Sequence, residues 1–293
     1  MKKLFIIAAA AACVLTVSCK HDPIPAEETD EIVFTASDAM SAEVTTKAAS
    51  PVNSLQSTGF YASATTGSDS ESVLWNNAPF VYDSGQYTGG KYWPLTNNGI
   101  HFYASNKAIT FNESGCSVEG ISAKTNDVVC AYLSNPTWKV RNELTFEHVF
   151  SRVGTVTAYG PTGYTVTSFS IRFTPYIEGN YNIKTGQWSN LTTDSSSATK
   201  TIATAISSEN SNDLWIIPGT YTLTASYTLS KGSGAGSYTE SITKTAEVTL
   251  EAGKINNIQT TLPSGNATDI AFDVTVTPWS NNSITAEFTT PEP

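Results

Sequence analysis

The stretch Thr220-Tyr221-Thr222-Leu223-Thr224-Ala225-Ser226-Tyr227-Thr228-Leu229-Ser230 decides the fold. Tyr221, Leu223, Ala225, Tyr227 and Leu229 fall on one side of an extended chain, and hydroxyl side chains fall on the other. A period of two is the period of a strand. One apolar face and one Thr/Ser face mark a half-buried strand of an antiparallel sheet. Pro218-Gly219 precedes it as a turn signal. The segment 231–237 (KGSGAGS) follows as a flexible loop. Alternation then resumes over 238–250, with Ile242, Ala246, Val248 and Leu250 on one face, so the two stretches predict a long β-hairpin. Glu251-Ala252-Gly253-Lys254 turns the chain again, and Ile258, Thr260, Leu262 and then Ile270, Phe272, Val274, Val276 supply two more strands.

The same period runs upstream. Leu144, Phe146, His148 and Phe150 share a face. Tyr164-Thr165-Val166 and Phe169, Ile171, Phe173 are out of phase by one residue, as a β-bulge or two short strands would make them. Ile32, Phe34 and Ala36 alternate with Val33, Thr35 and Ser37. Further strands are expected at 60–64, 80–82, 100–104 and 128–133, and Asn97-Asn98-Gly99 is a hairpin signal. Composition agrees: 42 of the 293 residues are Thr and 34 are Ser, while the common helix formers are sparse. Short strands separated by turns predict an all-β chain of two tandem antiparallel β-sandwich domains. The break at Ser134-Asn135-Pro136-Thr137 sets the expected domains at 32–137 and 138–293.

Net charge is −10, which excludes a nucleic-acid partner, since that needs a basic footprint. No Gly-x-Ser-x-Gly elbow, phosphate loop or dinucleotide fingerprint is present, so a non-enzyme with no cofactor is expected. The three His are scattered, and no metal site is expected: His148 reads as a core or boundary histidine, His101 as solvent-side, and His21 as part of a linker. Asp127, Glu143, Glu147 and Glu178 have no spacing that singles them out as a catalytic pair. Among the Trp residues, Trp215 reads as core, Lys91-Tyr92-Trp93-Pro94 as a packed corner, and Trp188 as loop-borne and the best candidate for an exposed stacking platform, with aromatics filling sandwich cores and sheet ends as the other reading.

At the N-terminus, Lys2 and Lys3 precede an apolar run over 4–15 that is too short to span a bilayer. It ends in Thr16-Val17-Ser18-Cys19, which resembles the bacterial lipobox. That resemblance implies a signal peptide over 1–18, with Cys19 as the acylated new N-terminus carrying chains such as palmitate; ordinary signal-peptidase cleavage near Ser18 is the other reading. Residues 19–31, acidic with two Pro after Cys19, read as a tether between the membrane and the folded body. Cys116 and Cys130 then remain, as a disulfide or as two buried thiols, and both readings stand.

An ordered set of short motifs spans the mature chain: Ile32-Val33-Phe34-Thr35 followed by Thr46-Lys47-Ala48; Lys91-Tyr92-Trp93-Pro94; Ile100-His101-Phe102-Tyr103-Ala104; Asp127-Val128-Val129-Cys130-Ala131-Tyr132; Leu144-Thr145-Phe146-Glu147-His148 leading to Ser151-Arg152-Val153; Ala252-Gly253-Lys254; and Pro278-Trp279. With the lipobox, this set resembles the fimbrillin family, the fimbrillin-like surface lipoproteins of the Bacteroidia that build type V pili. The resemblance implies transthyretin-like sandwiches, export to the outer membrane and cell surface on a lipid anchor, and cleavage after a basic residue by a trypsin-like protease. Carried onto this chain, the processed bond is Lys47-Ala48 and the removable strand is 32–36; Lys47 as an ordinary solvated lysine is the other reading. The implied partners are other fimbrial subunits, joined by strand exchange, and the implied role is structural and adhesive. A monomeric surface lipoprotein that captures glycans or host proteins is the alternative. Burial of Ile32 and Phe34 would contribute about 3–6 kcal/mol, and their removal would leave an apolar slot beside an open edge. Residues 281–293, with Ile284, Ala286 and Phe288 alternating, are either a donor strand or the last strand of the second domain.

Overall fold

The computed structural model describes residues 30–38, 51–67, 71–97, 99–112, 115–124, 127–160, 162–194, 198–206, 209–232, 238–262 and 271–278. Among the described residues, the chain is all-β apart from one short helix. Its first part contains β1 (Glu31–Asp38), α1 (Pro51–Thr58), β2 (Phe60–Thr66), β3 (Ser72–Asp83), β4 (Gln86–Tyr92), β5 (Ile100–Ser105), β6 (Thr110–Asn112), β7 (Gly115–Ser122), β8 (Val129–Ser134) and β9 (Asn142–His148). The second part contains β10 (Ser151–Tyr159), β11 (Thr165–Phe173), β12 (Tyr176–Asn182), β13 (Trp188–Thr193), β14 (Lys200–Ala203), β15 (Glu209–Ile216), β16 (Gly219–Lys231), β17 (Tyr238–Leu250), β18 (Lys254–Thr261) and β19 (Ala271–Pro278).

Seven strands close into a ring in the order β1-β4-β3-β2-β5-β8-β9, with β9 returning to β1. The inward faces follow the sequence pattern. On β9, Asn142, Leu144, Phe146 and His148 are buried and the residues between them are exposed. The ring encloses an aromatic core that includes Phe34, Phe60, Phe80, Phe102 and Phe146. Helix α1 adds Leu55 to that core and ends at Gly59, whose N–H donates to the Leu55 carbonyl at 2.7 Å. Gly59 has φ +71°, and a Cβ there would stand 2.3 Å from the Phe80 carbonyl oxygen, so glycine is required at this cap.

In the second part, the sheets β15-β10-β18-β19 and β14-β11-β16-β17 share one apolar core, formed among others by Val153, Val156, Ile171, Leu223, Tyr227, Leu250 and Ile258. The hairpin expected from 220–250 is present. β16 and β17 pair residue for residue from Gly219↔Leu250 to Lys231↔Tyr238, with Tyr221, Leu223, Ala225, Tyr227 and Leu229 buried. The phase slip upstream is a register shift in β11 between Val166 and Ser168. Asn256, fully buried, ties this unit together: its amide donates to Ser151 Oγ at 2.8 Å and to the Lys254 carbonyl at 3.2 Å, and its oxygen accepts from the Glu251 N–H at 3.1 Å.

Backbone pairing joins the two parts. The position 137/138 lies in the connection between β8 and β9, and these strands pair with each other. The sheet β13-β12-β7-β6 combines strands from both parts, with Glu178↔Ser122 and Asn182↔Ser117 in register. A third core, containing Tyr103, Cys116, Cys130, Phe150, Ile183 and Ile217, lies under this junction. It explains two departures from the expected pattern. β5 is buried on both faces, so His101 is not solvent-side; its Nδ1 stands 3.0 Å from the Tyr132 hydroxyl. Trp188 is not a loop-borne platform: it opens β13 and packs against Phe150 at 5.4 Å and Tyr181 at 5.1 Å, with its indole N–H buried.

Candidate functional site

The candidate site is the seat of β1. This strand crosses from one neighbour to the other along its length. Glu31, Val33 and Phe34 pair antiparallel with Tyr92, Thr88 and Tyr87 of β4. Phe34 to Asp38 pair parallel with Asn142 to Phe146 of β9. One short strand therefore closes the ring, and its loss would expose the inner edges of both β4 and β9.

Packing holds the strand more firmly than its alternation implies. Ile32, Val33 and Phe34 are all buried, so Val33, at a polar phase of the pattern, is covered as well. Phe34 sits at the centre of the aromatic core, with ring centroids 5.0 Å from Phe102, 5.2 Å from Phe80 and 6.3 Å from Phe60. Burial of three such side chains contributes about 5–9 kcal/mol. Polar ties at the start of the strand are lighter. The Trp93 N–H donates to the Asp30 carbonyl at 2.9 Å, the Gly90 N–H donates to Glu31 Oε1 at 3.2 Å, and Lys139 Nζ stands 2.7 Å from Asp30 Oδ1. Trp93 is buried with its ring against Phe102, so of the packed corner expected at 91–94 this residue turns inward while Tyr92 stays exposed.

The other residues singled out in the sequence fall as follows. Cys19, Lys47 and Ala48 lie outside the described residues, as do His21 and the segment 281–293. Cys116 and Cys130 are both buried and free, and burial pushes each thiol up to about 12. Thiols so placed are poor nucleophiles. A thiol-reactive dye is expected to label neither in the folded chain and both in about 6 M urea without reductant. Finding none after unfolding would establish a disulfide instead.

The charged groups form structural pairs. His148 Nδ1 stands 2.7 Å from Asp127 Oδ2. Glu143, Glu147 and Glu178 are exposed. Lys124, Asp127, Lys200, Asp213 and Trp215 line a cleft of about 480 Å³ at the junction. Its charges are matched: Asp194, itself buried, holds both Lys124 and Lys200 at 2.8 Å, and Arg152 Nε stands 2.8 Å from Asp213. Among the described residues, no group of three or more His, Cys, Asp or Glu side chains is placed to hold a metal ion.

A second network pins the two parts together. Glu71 accepts from Thr65 Oγ1 at 2.8 Å and from the Tyr103 hydroxyl, and it forms an ion pair with Lys184 from the β12–β13 turn. Burial works against the Glu71 carboxylate, but the hydrogen bonds from Lys184, Tyr103 and Thr65 outweigh it and hold its pKa below the ordinary 4.5. A depressed carboxylate stabilises the folded state above its unfolded pKa, and that contribution is lost as pH falls through the folded value. The urea midpoint of the wild type is therefore expected to fall on acidification from about pH 6 to about pH 3 more steeply than that of Glu71→Gln. Parallel midpoint curves would place the pair among neutral surface contacts.

Comparison with known proteins completes the description. The family described as fimbrillin-like matches residues 33–279. A candidate cell adhesion protein from Bacteroides ovatus is 13% identical, with a TM-score of 0.42 over 88% of this chain and 99% of that one. A fimbrial assembly protein from Parabacteroides distasonis is 8% identical, with a TM-score of 0.32 over 84% of this chain and 98% of that one. No curated protein matches the sequence.

Proposed function

The chain belongs to the fimbrillin-like family, and on that premise we propose that it is a structural and adhesive fimbrial subunit that assembles by strand exchange. Family membership supports a fimbrial or adhesive role at the cell surface. The observation that carries the finer reading is the seat of β1: a single strand, the first among the described residues and followed by a stretch containing Lys47, plugs an apolar slot and closes two sheet edges.

In this proposal, the signal over 1–18 exports the chain, Cys19 takes the lipid and residues 19–31 tether the folded body to the outer membrane. Two tandem transthyretin-like units make up that body, the ring with β1 and the sandwich around β16. A trypsin-like protease cuts Lys47-Ala48. The cut severs β1 from α1, whose buried Leu55 stays with the core. β1 then leaves, and a terminal strand of another subunit enters between β4 and β9. The segment 281–293 of a second copy has the apolar alternation that the slot accepts. The contact is head-to-tail and does not close, so it propagates. The work is done by binding, without catalysis or cofactor.

A monomeric surface lipoprotein that captures glycans or host proteins is the second reading, and the cleft beside Trp215 is the observation that favours it. Limited trypsin digestion followed by sizing separates the two. A subunit is a monomer before the cut and a ladder of oligomers after it, whereas a capture protein stays monomeric throughout.

A further inference from the structure

We propose that the rim of the ring where the tether enters rests on the lipid bilayer while the chain is anchored, through Tyr92, Leu95 and Trp138. This rests on the lipid anchor at Cys19 proposed above. Three large apolar side chains are exposed there: Leu95 at 96%, Tyr92 at 66% and Trp138 at 36%. A single exposed leucine is ordinary, but these three belong to one connected corner. Tyr92 ends β4, opposite Glu31 of β1. The next residue, Trp93, donates its N–H to the Asp30 carbonyl. Leu95 follows in the loop after β4, and the Trp138 indole N–H reaches that same loop at the Pro94 carbonyl, 3.3 Å away. Lys139 ties the corner to the tether, with Nζ 2.7 Å from Asp30 Oδ1 and 5.2 Å from the centre of the Trp138 ring.

The length of chain selects the occupant. Asp30 is eleven positions after Cys19. Eleven extended residues reach at most about 36–40 Å, and a relaxed chain reaches less. This rim is thus the part of the molecule that the anchor keeps nearest to lipid. Its side chains suit that boundary. Tyr and Trp favour the headgroup level, Leu enters the acyl region, and Lys139 can lay its stem along it with the ammonium group in water. The acidic residues Asp22, Glu27, Glu28, Asp30 and Glu31 disfavour an anionic surface, so the occupant is a neutral, zwitterionic headgroup layer.

The test uses the mature, lipidated chain in phosphatidylcholine vesicles. An environment-sensitive dye is attached at Leu95→Cys, or, as a control, at Ser241→Cys on the exposed face of β17; the buried Cys116 and Cys130 take no label in the folded protein. Lipids spin-labelled just below the headgroup are expected to quench the dye at Leu95→Cys at least about twofold more than the dye at Ser241→Cys. Equal quenching of the two, with the protein still floating with the vesicles, overturns the rim contact and leaves the anchor intact. Failure to float removes the anchor itself, and the rim proposal with it. A concentration-dependent emission shift at Leu95→Cys without vesicles assigns the rim to a second copy, and also overturns the proposal.

Discussion

Phe34→Ala is expected to lower the unfolding free energy of the intact chain by about 3–5 kcal/mol, the range for removing a fully buried phenylalanine. Phe34 has no exposed surface and meets Phe60, Phe80 and Phe102 within one aromatic cluster. The site has little room to collapse, because β1 is pinned between β4 and β9 on either side of this residue. The cost therefore includes the cavity as well as the lost transfer energy. Denaturant titration of the full chain measures it. A loss under about 1 kcal/mol would mean that β1 lies loosely over the ring and does not complete it.

The second large effect concerns association. Cleavage between Lys47 and Ala48 is expected to convert a monomer into a concentration-dependent series of oligomers. The strand's three buried side chains are worth about 5–9 kcal/mol on an area basis, an upper figure, since the excised strand also regains chain entropy. A free segment of this size binds its slot only moderately once the covalent link is gone, because the link no longer supplies a high effective concentration. A donor strand attached to a whole subunit replaces it, and each exchange leaves the next slot open. Sizing before and after digestion, at several protein concentrations, reads this directly. The intact chain stays monomeric at all of them, because its own β1 occupies the edge.

Much of this was legible in the residues, for physical reasons that differ from place to place. The β16–β17 hairpin was readable because one face is buried and the other wet, so its Thr and Ser ladder stands apart from Tyr221, Leu223 and Leu229. β9 was readable for the same reason. Trp188, His101 and Val33 depart from their local pattern because a second layer covers what that pattern marks as solvent, whereas Trp215, read as core, is half-buried and lines the junction cleft. Trp188 sits among Gly186, Gln187, Ser189 and Asn190, all turn-like residues, and it is Phe150, in the β9–β10 connection, and Tyr181 of β12 that draw it against the core. His101 and Val33 stand at polar phases of their strands and are buried by partners distant in sequence.

The seat of β1 was half legible. The apolar alternation of Ile32 and Phe34 was visible, but the parallel pairing with β9 depends on a strand more than a hundred residues downstream. The Glu71–Lys184 pair left no local signal at all, since its partners are 113 residues apart. The rim around Tyr92, Leu95 and Trp138 was also invisible. Lys91-Tyr92-Trp93-Pro94 reads as one packed corner, and folding sends Trp93 inward while leaving Tyr92 outside.

The most direct test of the central claim is competition for the slot. The chain cut at Lys47-Ala48 is sized with and without an excess of a synthetic peptide covering residues 30–38. If β1 is a removable plug whose place a neighbour's strand takes, the peptide holds the cut chain as a monomer and co-elutes with it, and polymers form only in its absence. Polymers that grow equally well with the peptide, or a cut chain that stays monomeric without it, would contradict the account.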